Sequence, residues 1–140
     1  MVIDSEATSP RNCAALLTGR GVALTRQRLD VARVLFARCQ HLSADQIFSA
    51  VNAKGADISK ATVYNTLNLF VSKSLIREVI VDSDKVFYDS NTTPHHHLYD
   101  VESGEIIDID ATHIAVTGLP ALPDGMITDG VDIIVRMRRA

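Results

Sequence analysis

Apolar residues recur with a helical period over the first half of the chain and mostly with a strand period over the second. A short helical pattern over residues 11–18 is broken by Gly19 and Gly21. Thr25 is placed to cap a helix in which Val31, Ala32, Val34 and Leu35 keep helical spacing. Ser43 starts the next helix, and Gln46 three residues on completes a capping box. Ile47, Phe48 and Val51 form its inward stripe, and Gly55 ends it. Ser59 caps another helix, in which Val63, Leu67 and Phe70 at i, i+4 and i+7 make one apolar face. Residues 76–81, a polar turn Asp82-Ser83-Asp84 and residues 85–88 then read as a β-hairpin. Three helices followed by a hairpin predict a winged helix-turn-helix, with residues 59–72 in the recognition position.

The pattern changes after residue 88. Residues 95–101 and 105–109 are strand-like around a Glu-Ser-Gly turn, and residues 110–118 suit a short helix. Residues 118–130 are rich in Pro and Gly, and 131–137 form a β-type run. The expected class is therefore α+β: an N-terminal winged helix-turn-helix followed by a small α/β domain. The expected divisions are a tail at 1–10, a winged-helix domain at 11–88, a linker at 89–94 and the second domain at 95–140.

Composition narrows the function. No run of 18 apolar residues exists, which argues against a membrane span. Acids precede the first apolar patch, which does not suit a secretory signal, so a cytoplasmic protein is expected. A net charge of -3 argues against a chain that coats nucleic acid nonspecifically. The charge is uneven, however. Ten of the 14 Lys and Arg lie in residues 1–81, and between Asp82 and Gly130 only Lys85 is basic. The N-terminal half reads as the anion-binding half. On the third regular helix Lys60 suits phosphates, Asn65 and Asn68 suit base edges, and the Tyr64 ring suits thymine methyls. A merely solvated polar face would show the same residues. The two cysteines, Cys13 and Cys39, form no CxxC pair and read as small buried apolar residues, not as a disulfide framework or an all-cysteine zinc site.

The histidines carry the candidate chemistry. In an extended stretch His95 and His97 point to one face and His96 to the other. If Glu102 and Ser103 are the two loop residues, Val101 pairs with Gly104 and His97 with Asp108. His95, His97 and Asp108 then share a face. Two imidazoles and a carboxylate suit zinc, manganese or ferrous iron. His41, read at the end of the second helix, would let a metal tie the two domains together. A solvated histidine run near a linker is the bland alternative. The same donor set also serves ferrous oxygenases, but no apolar substrate-pocket pattern accompanies it, and a metalloenzyme would leave the winged helix unexplained. A non-enzyme is expected.

The runs LTRQRLDVARVL, HLSADQIF, ISKATVYNTLNLF and HHHLYDVESGEIIDI, in that order over roughly residues 15–137, resemble the signature sequence of the ferric uptake regulator (Fur) family. The resemblance implies a homodimeric regulator with a C-terminal α/β dimerisation domain and no membrane association. It also implies a ligand that clamps the lobes onto an AT-rich palindrome of double-stranded DNA. His41 then matches the ligand of the DNA-binding domain, His95 and His97 the alternating histidines, and Asp108 the later acid. The acid at the end of the wing falls near Tyr88, with its neighbour Asp89 as substitute. Ser59, Thr62, Tyr64 and Asn65 fall where the family contacts DNA, and Arg26, Arg28 and Lys60 complete that set. Asn65 occupies a place often held by Arg.

Three departures stand out. The expected CxxC is Asp100-Val101-Glu102-Ser103, so the family's structural zinc site, built from four cysteines, is not expected. A second metal or haem site retains His96 and His113, with Pro94 at another ligand position. A basic residue before Thr25 is replaced by Ala23, for which Arg20 or Arg26 could compensate. The words TVYNTLN and HHH, Asp110-Ala111-Thr112-His113 and the ending IIVRMRRA resemble the iron response regulator (Irr) branch. In that branch the histidine triplet is implicated in haem binding. The implied role is control of iron homeostasis, with a divalent metal (iron, manganese or zinc) or haem as the signal. A peroxide-sensing or other-metal-sensing repressor of the same family is the alternative.

Overall fold

The computed structural model describes residues 10–140 and their side chains from Asn12 onward. The tail expected over residues 1–10 lies outside the described residues, apart from Pro10, where the first helix begins. The chain divides into two compact units at Thr92/Thr93.

Among the described residues the first unit holds four helices, each bounded by local chemistry visible in the sequence. Helix α1 (Pro10–Gly19) stops where Gly21 takes a left-handed φ of 74° and Val22 N–H returns to the Leu17 carbonyl. Thr25 Oγ1 accepts from Arg28 N to cap α2 (Arg26–Leu35). Ser43 and Gln46 close both bonds of the capping box on α3 (Ala44–Ala53). Ser59 Oγ accepts from Thr62 N on α4 (Lys60–Ser72).

The predicted stripes meet in one core. Val31, Ala32, Val34 and Leu35 of α2, Ile47 and Val51 of α3, and Val63, Leu67 and Phe70 of α4 are buried together. Phe48 is only half-buried and packs against the rim of this core. Cys13 is buried as expected, and burial pushes its thiol up from the usual cysteine range. Cys39 is exposed, contrary to expectation, because it lies in the irregular segment that follows α2.

The connection between α3 and α4 hangs on one side chain. Asn52 Nδ2 donates to the Ile58 carbonyl at 3.0 Å, while Asn52 Oδ1 accepts from Ile58 N at 2.7 Å. Asn52→Ala would leave both backbone groups of the buried Ile58 unpaired. A loss of about 2 kcal/mol is expected, since each orphaned buried group costs roughly 1–3 kcal/mol. The urea midpoint followed by circular dichroism measures it; an unchanged midpoint would show the turn to be held otherwise.

Three antiparallel strands complete this unit in the order β1 (His41–Leu42), β3 (Lys85–Asp89), β2 (Arg77–Asp82). The β2–β3 hairpin is the predicted wing. Strand β1 departs from the expectation: the sequence pattern places His41 at a helix end, whereas α2 has stopped by Leu35 and His41 sits in the sheet. Pairing with β1 and β2 also carries β3 through Asp89, a residue expected to open the linker.

The second unit is a mixed sheet in the order β5 (Ile106–Asp110), β4 (His95–Asp100), β6 (Ile134–Met137), antiparallel on one side and parallel on the other. His97 faces Asp108 across the β4–β5 pair, the register that a Glu102-Ser103 loop requires. The helix expected over residues 110–118 is a single 3-10 turn, Ala111–His113, capped by Asp110. Beyond it Gly118, Pro120 and Pro123 deny the chain helical continuity. Leu119, Leu122, Met126 and Ile127 of this stretch are exposed.

Candidate metal centre and nucleic-acid interface

Strand pairing builds a two-donor set in the first unit. His41 and Asp89 are cross-strand partners, and His41 Nε2 lies 3.0 Å from Asp89 Oδ2. Asp89 is 1% exposed, and its Oδ1 accepts from Asn91 N at 2.9 Å. A carboxylate taken this far from water needs such partners. Tyr88, near which the resemblance places the acid, packs into the hydrophobic core instead. Successive strand residues face opposite ways, so Asp89 is the side chain presented alongside His41.

The second unit holds a donor set of its own. His95 Nε2 and His97 Nε2 each lie 3.5 Å from Asp108 Oδ1, and the two rings meet edge to face at 4.6 Å. Both histidines are buried, while Asp108 is more open. Two ligand atoms on one ion at about 2.1 Å stand about 3.0–3.4 Å apart in octahedral or tetrahedral geometry. The separations in each set, 3.0 Å in the first and 3.5 Å in the second, are close to that. His95 Nδ1 lies 2.6 Å from the Thr93 carbonyl and donates to it, which turns Nε2 toward Asp108.

Pro94 stiffens this arrangement. Its ring fixes its own φ and restricts Thr93 to extended backbone, which holds the carbonyl that orients His95. Pro94→Ala is expected to weaken manganese(II) binding about twofold to fivefold, as the lost chain restriction is about 0.4–1 kcal/mol. Competition with a fluorescent chelator measures it, and unchanged affinity would remove Pro94 from the account.

His96 and His113 are arranged differently. His96 Nδ1 accepts from Ile133 N at 3.2 Å, so this ring ties the chain entering β6 to β4. His113 ends the exposed 3-10 turn. Among the described residues, no group of three or more possible ligands includes either one.

Helix α4 presents Lys60, Ala61, Tyr64, Asn65 and Asn68 to solvent, at positions that fall on one face. Tyr64 is 43% exposed. A groove between this face and the start of α2 is lined by Thr25, Gln27, Arg28, Thr62, Asn65, Thr66 and Leu69. The structure thus brings Arg28, Thr62 and Asn65 together. It adds Gln27 and Thr66, which sequence periodicity could not place because the groove joins two helices. Other predicted contacts have partners already. Arg28 donates to the Ala23 carbonyl at 2.7 Å, Ser59 Oγ donates to Thr62 Oγ1 at 2.9 Å, and Lys60 pairs with Asp45 at 2.9 Å. Arg26 is exposed at the start of α2.

The model of the ferric uptake regulator family matches residues 19–120. The chain belongs to the ferric uptake regulator family. It is 34% identical over 94 residues to a peroxide-responsive repressor, PerR, of Staphylococcus epidermidis, a match covering 67% of this chain and 63% of the relative. The chain thus spans less than two thirds of that relative's length. Among solved structures it is similar to the ferric uptake regulator of Francisella tularensis with iron, with a TM-score of 0.70 at 23% identity, covering 85% of this chain and 92% of that one. The Pseudomonas aeruginosa regulator with manganese also gives a TM-score of 0.70, at 21% identity, covering 90% and 96%. The likeness is one of fold: a winged helix-turn-helix followed by a small α/β domain. No described helix is long and apolar enough to cross a membrane.

Proposed function

We propose that this chain is a homodimeric, metal-responsive transcription regulator that binds double-stranded DNA through α4 and senses a divalent ion. His41, Asp89, His95, His97 and Asp108 are the proposed ligands. The observation that carries the reading is the pair of incomplete donor sets: His41 with Asp89, and His95 and His97 with Asp108. Two donors or three alone fall short of the four to six that zinc, manganese or ferrous iron take. One ion sharing both sets would be fully ligated and would tie the units together. It would supply positive charge to the carboxylates that hold it, and the chain's own residues would set the ligand geometry. A ligated state that suits DNA raises operator affinity by linkage, and one that does not lowers it.

Dimerisation is supported by Leu119, Leu122, Met126 and Ile127, whose exposed apolar surface a second copy would cover. Control of iron homeostasis from AT-rich palindromic operators, with metal or haem as the signal, extends this reading and rests on the sequence resemblance.

The test is fluorescence anisotropy of an AT-rich palindromic duplex with chelator, then manganese or zinc, then haem. Tightening on metal addition is the expected result. Metal-independent binding that haem weakens would move the signal to haem. No specific binding under any condition would sink the function and leave the fold.

A further inference from the structure

Lys60 opens α4, the helix assigned to the major groove, yet its charge is already engaged. Its Nζ lies 2.9 Å from Asp45 Oδ1 in the first turn of α3 and 5.8 Å from the centre of the Phe48 ring. Both charged side chains are exposed, Lys60 at 56% and Asp45 at 73%, so the pair stands on the surface that DNA would approach. The Asp45 hydrogen bond and negative charge hold the Lys60 ammonium above the usual lysine range. The pair contributes little to stability, because water and salt screen an ion pair this exposed. A phosphate arriving at Lys60 must therefore either displace a carboxylate or sit beside one.

Resting on the DNA-binding reading above, we propose that Asp45 is a specificity-determining residue, which masks Lys60 so that phosphate attraction alone does not hold the protein on arbitrary duplex DNA. The physical basis is an asymmetry between two kinds of binding. Nonspecific affinity is almost wholly electrostatic, whereas operator affinity also draws on base contacts. Tyr64 and Asn65, which would supply base contacts, lie elsewhere on the exposed face of α4. A carboxylate at the phosphate site thus weakens nonspecific binding by a larger share than specific binding. The ratio between the two rises.

The experiment uses the full-length, manganese-loaded protein and two duplexes, one of mixed sequence and one AT-rich and palindromic. Affinities are read by anisotropy across a salt series for wild type, Asp45→Asn, Lys60→Gln and the double variant. Asp45→Asn is expected to tighten the mixed-sequence duplex about threefold to tenfold at low salt. Its plot of log affinity against log salt should steepen by about 0.9, the value for one further neutralised phosphate. The palindromic duplex should gain less. The double variant should show none of the tightening, because no ammonium remains to unmask. NMR titration of the Lys60 side chain should show its pKa falling in Asp45→Asn. Unchanged affinity in Asp45→Asn, a gain that survives in the double variant, or an unmoved Lys60 titration would each overturn the proposal. If wild type binds neither duplex at any salt, the DNA-binding reading itself falls and this inference with it.

Discussion

Replacing His97 by alanine is expected to weaken manganese(II) binding by about a hundredfold or more, since losing even an outer-shell partner costs roughly 10–100-fold. His97 is 3% exposed and its Nε2 stands 3.5 Å from Asp108, so water cannot readily replace it as a donor. Removal reduces the second unit's set to His95 and Asp108. The sheet should survive, because β4 is held to β5 and β6 by backbone pairing across its length. Affinity is read by competition with a fluorescent chelator, and metal-linked tightening of the AT-rich duplex should vanish with it. Lowering the pH should weaken wild-type binding in the same assay, since ligating imidazoles must shed their protons. His96→Ala is the control. Its ring faces away and bonds Ile133 N, so that variant should keep its metal affinity. Manganese affinity retained in His97→Ala would remove this cluster from the sensing mechanism.

Much of the fold was legible because its signals are local. Thr25, Ser43 and Ser59 each cap the helix they precede, and a cap needs only its next three residues. The β4–β5 register was legible for a related reason, as a two-residue loop fixes every pair behind it, His97 with Asp108 included. What failed depends on pairing between distant parts of the chain. Strand β1 is two residues long and exists through its partnership with β3, so nothing near His41 announces it. At the end of the wing the resemblance falls on Tyr88, with Asp89 as the substitute acid, and it is strand pairing with β1 that sets Asp89 beside His41. The expected helix over residues 110–118 borrowed its pattern from apolar residues that instead lie in or after a single 3-10 turn, Ile114 half-buried and Ala115 and Val116 exposed. The Asp45–Lys60 pair joins two helices and no sequence period reports it.

Tyr64→Ala separates a DNA-reading protein from a winged helix used only for protein association. The variant is expected to bind the AT-rich duplex about tenfold to a hundredfold more weakly, because a good base contact is worth roughly 1–3 kcal/mol. Stability should stay within about 0.5 kcal/mol of wild type, as usual for an exposed side chain outside the core. Tyr64 is exposed and lies about a quarter turn around α4 from the buried stripe of Val63, Leu67 and Phe70, so its truncation opens no cavity in that core. Its loss should also differ in kind from the loss of a phosphate contact. Removing a phosphate contact weakens all duplexes alike and flattens the salt dependence, whereas removing a base contact leaves the salt slope in place and narrows the gap between AT-rich and mixed sequence. Sedimentation velocity on the same samples checks that self-association is untouched. Affinity lost with assembly and salt slope retained would assign α4 to base reading. Duplex affinity equal to wild type would mean that α4 faces something other than the major groove.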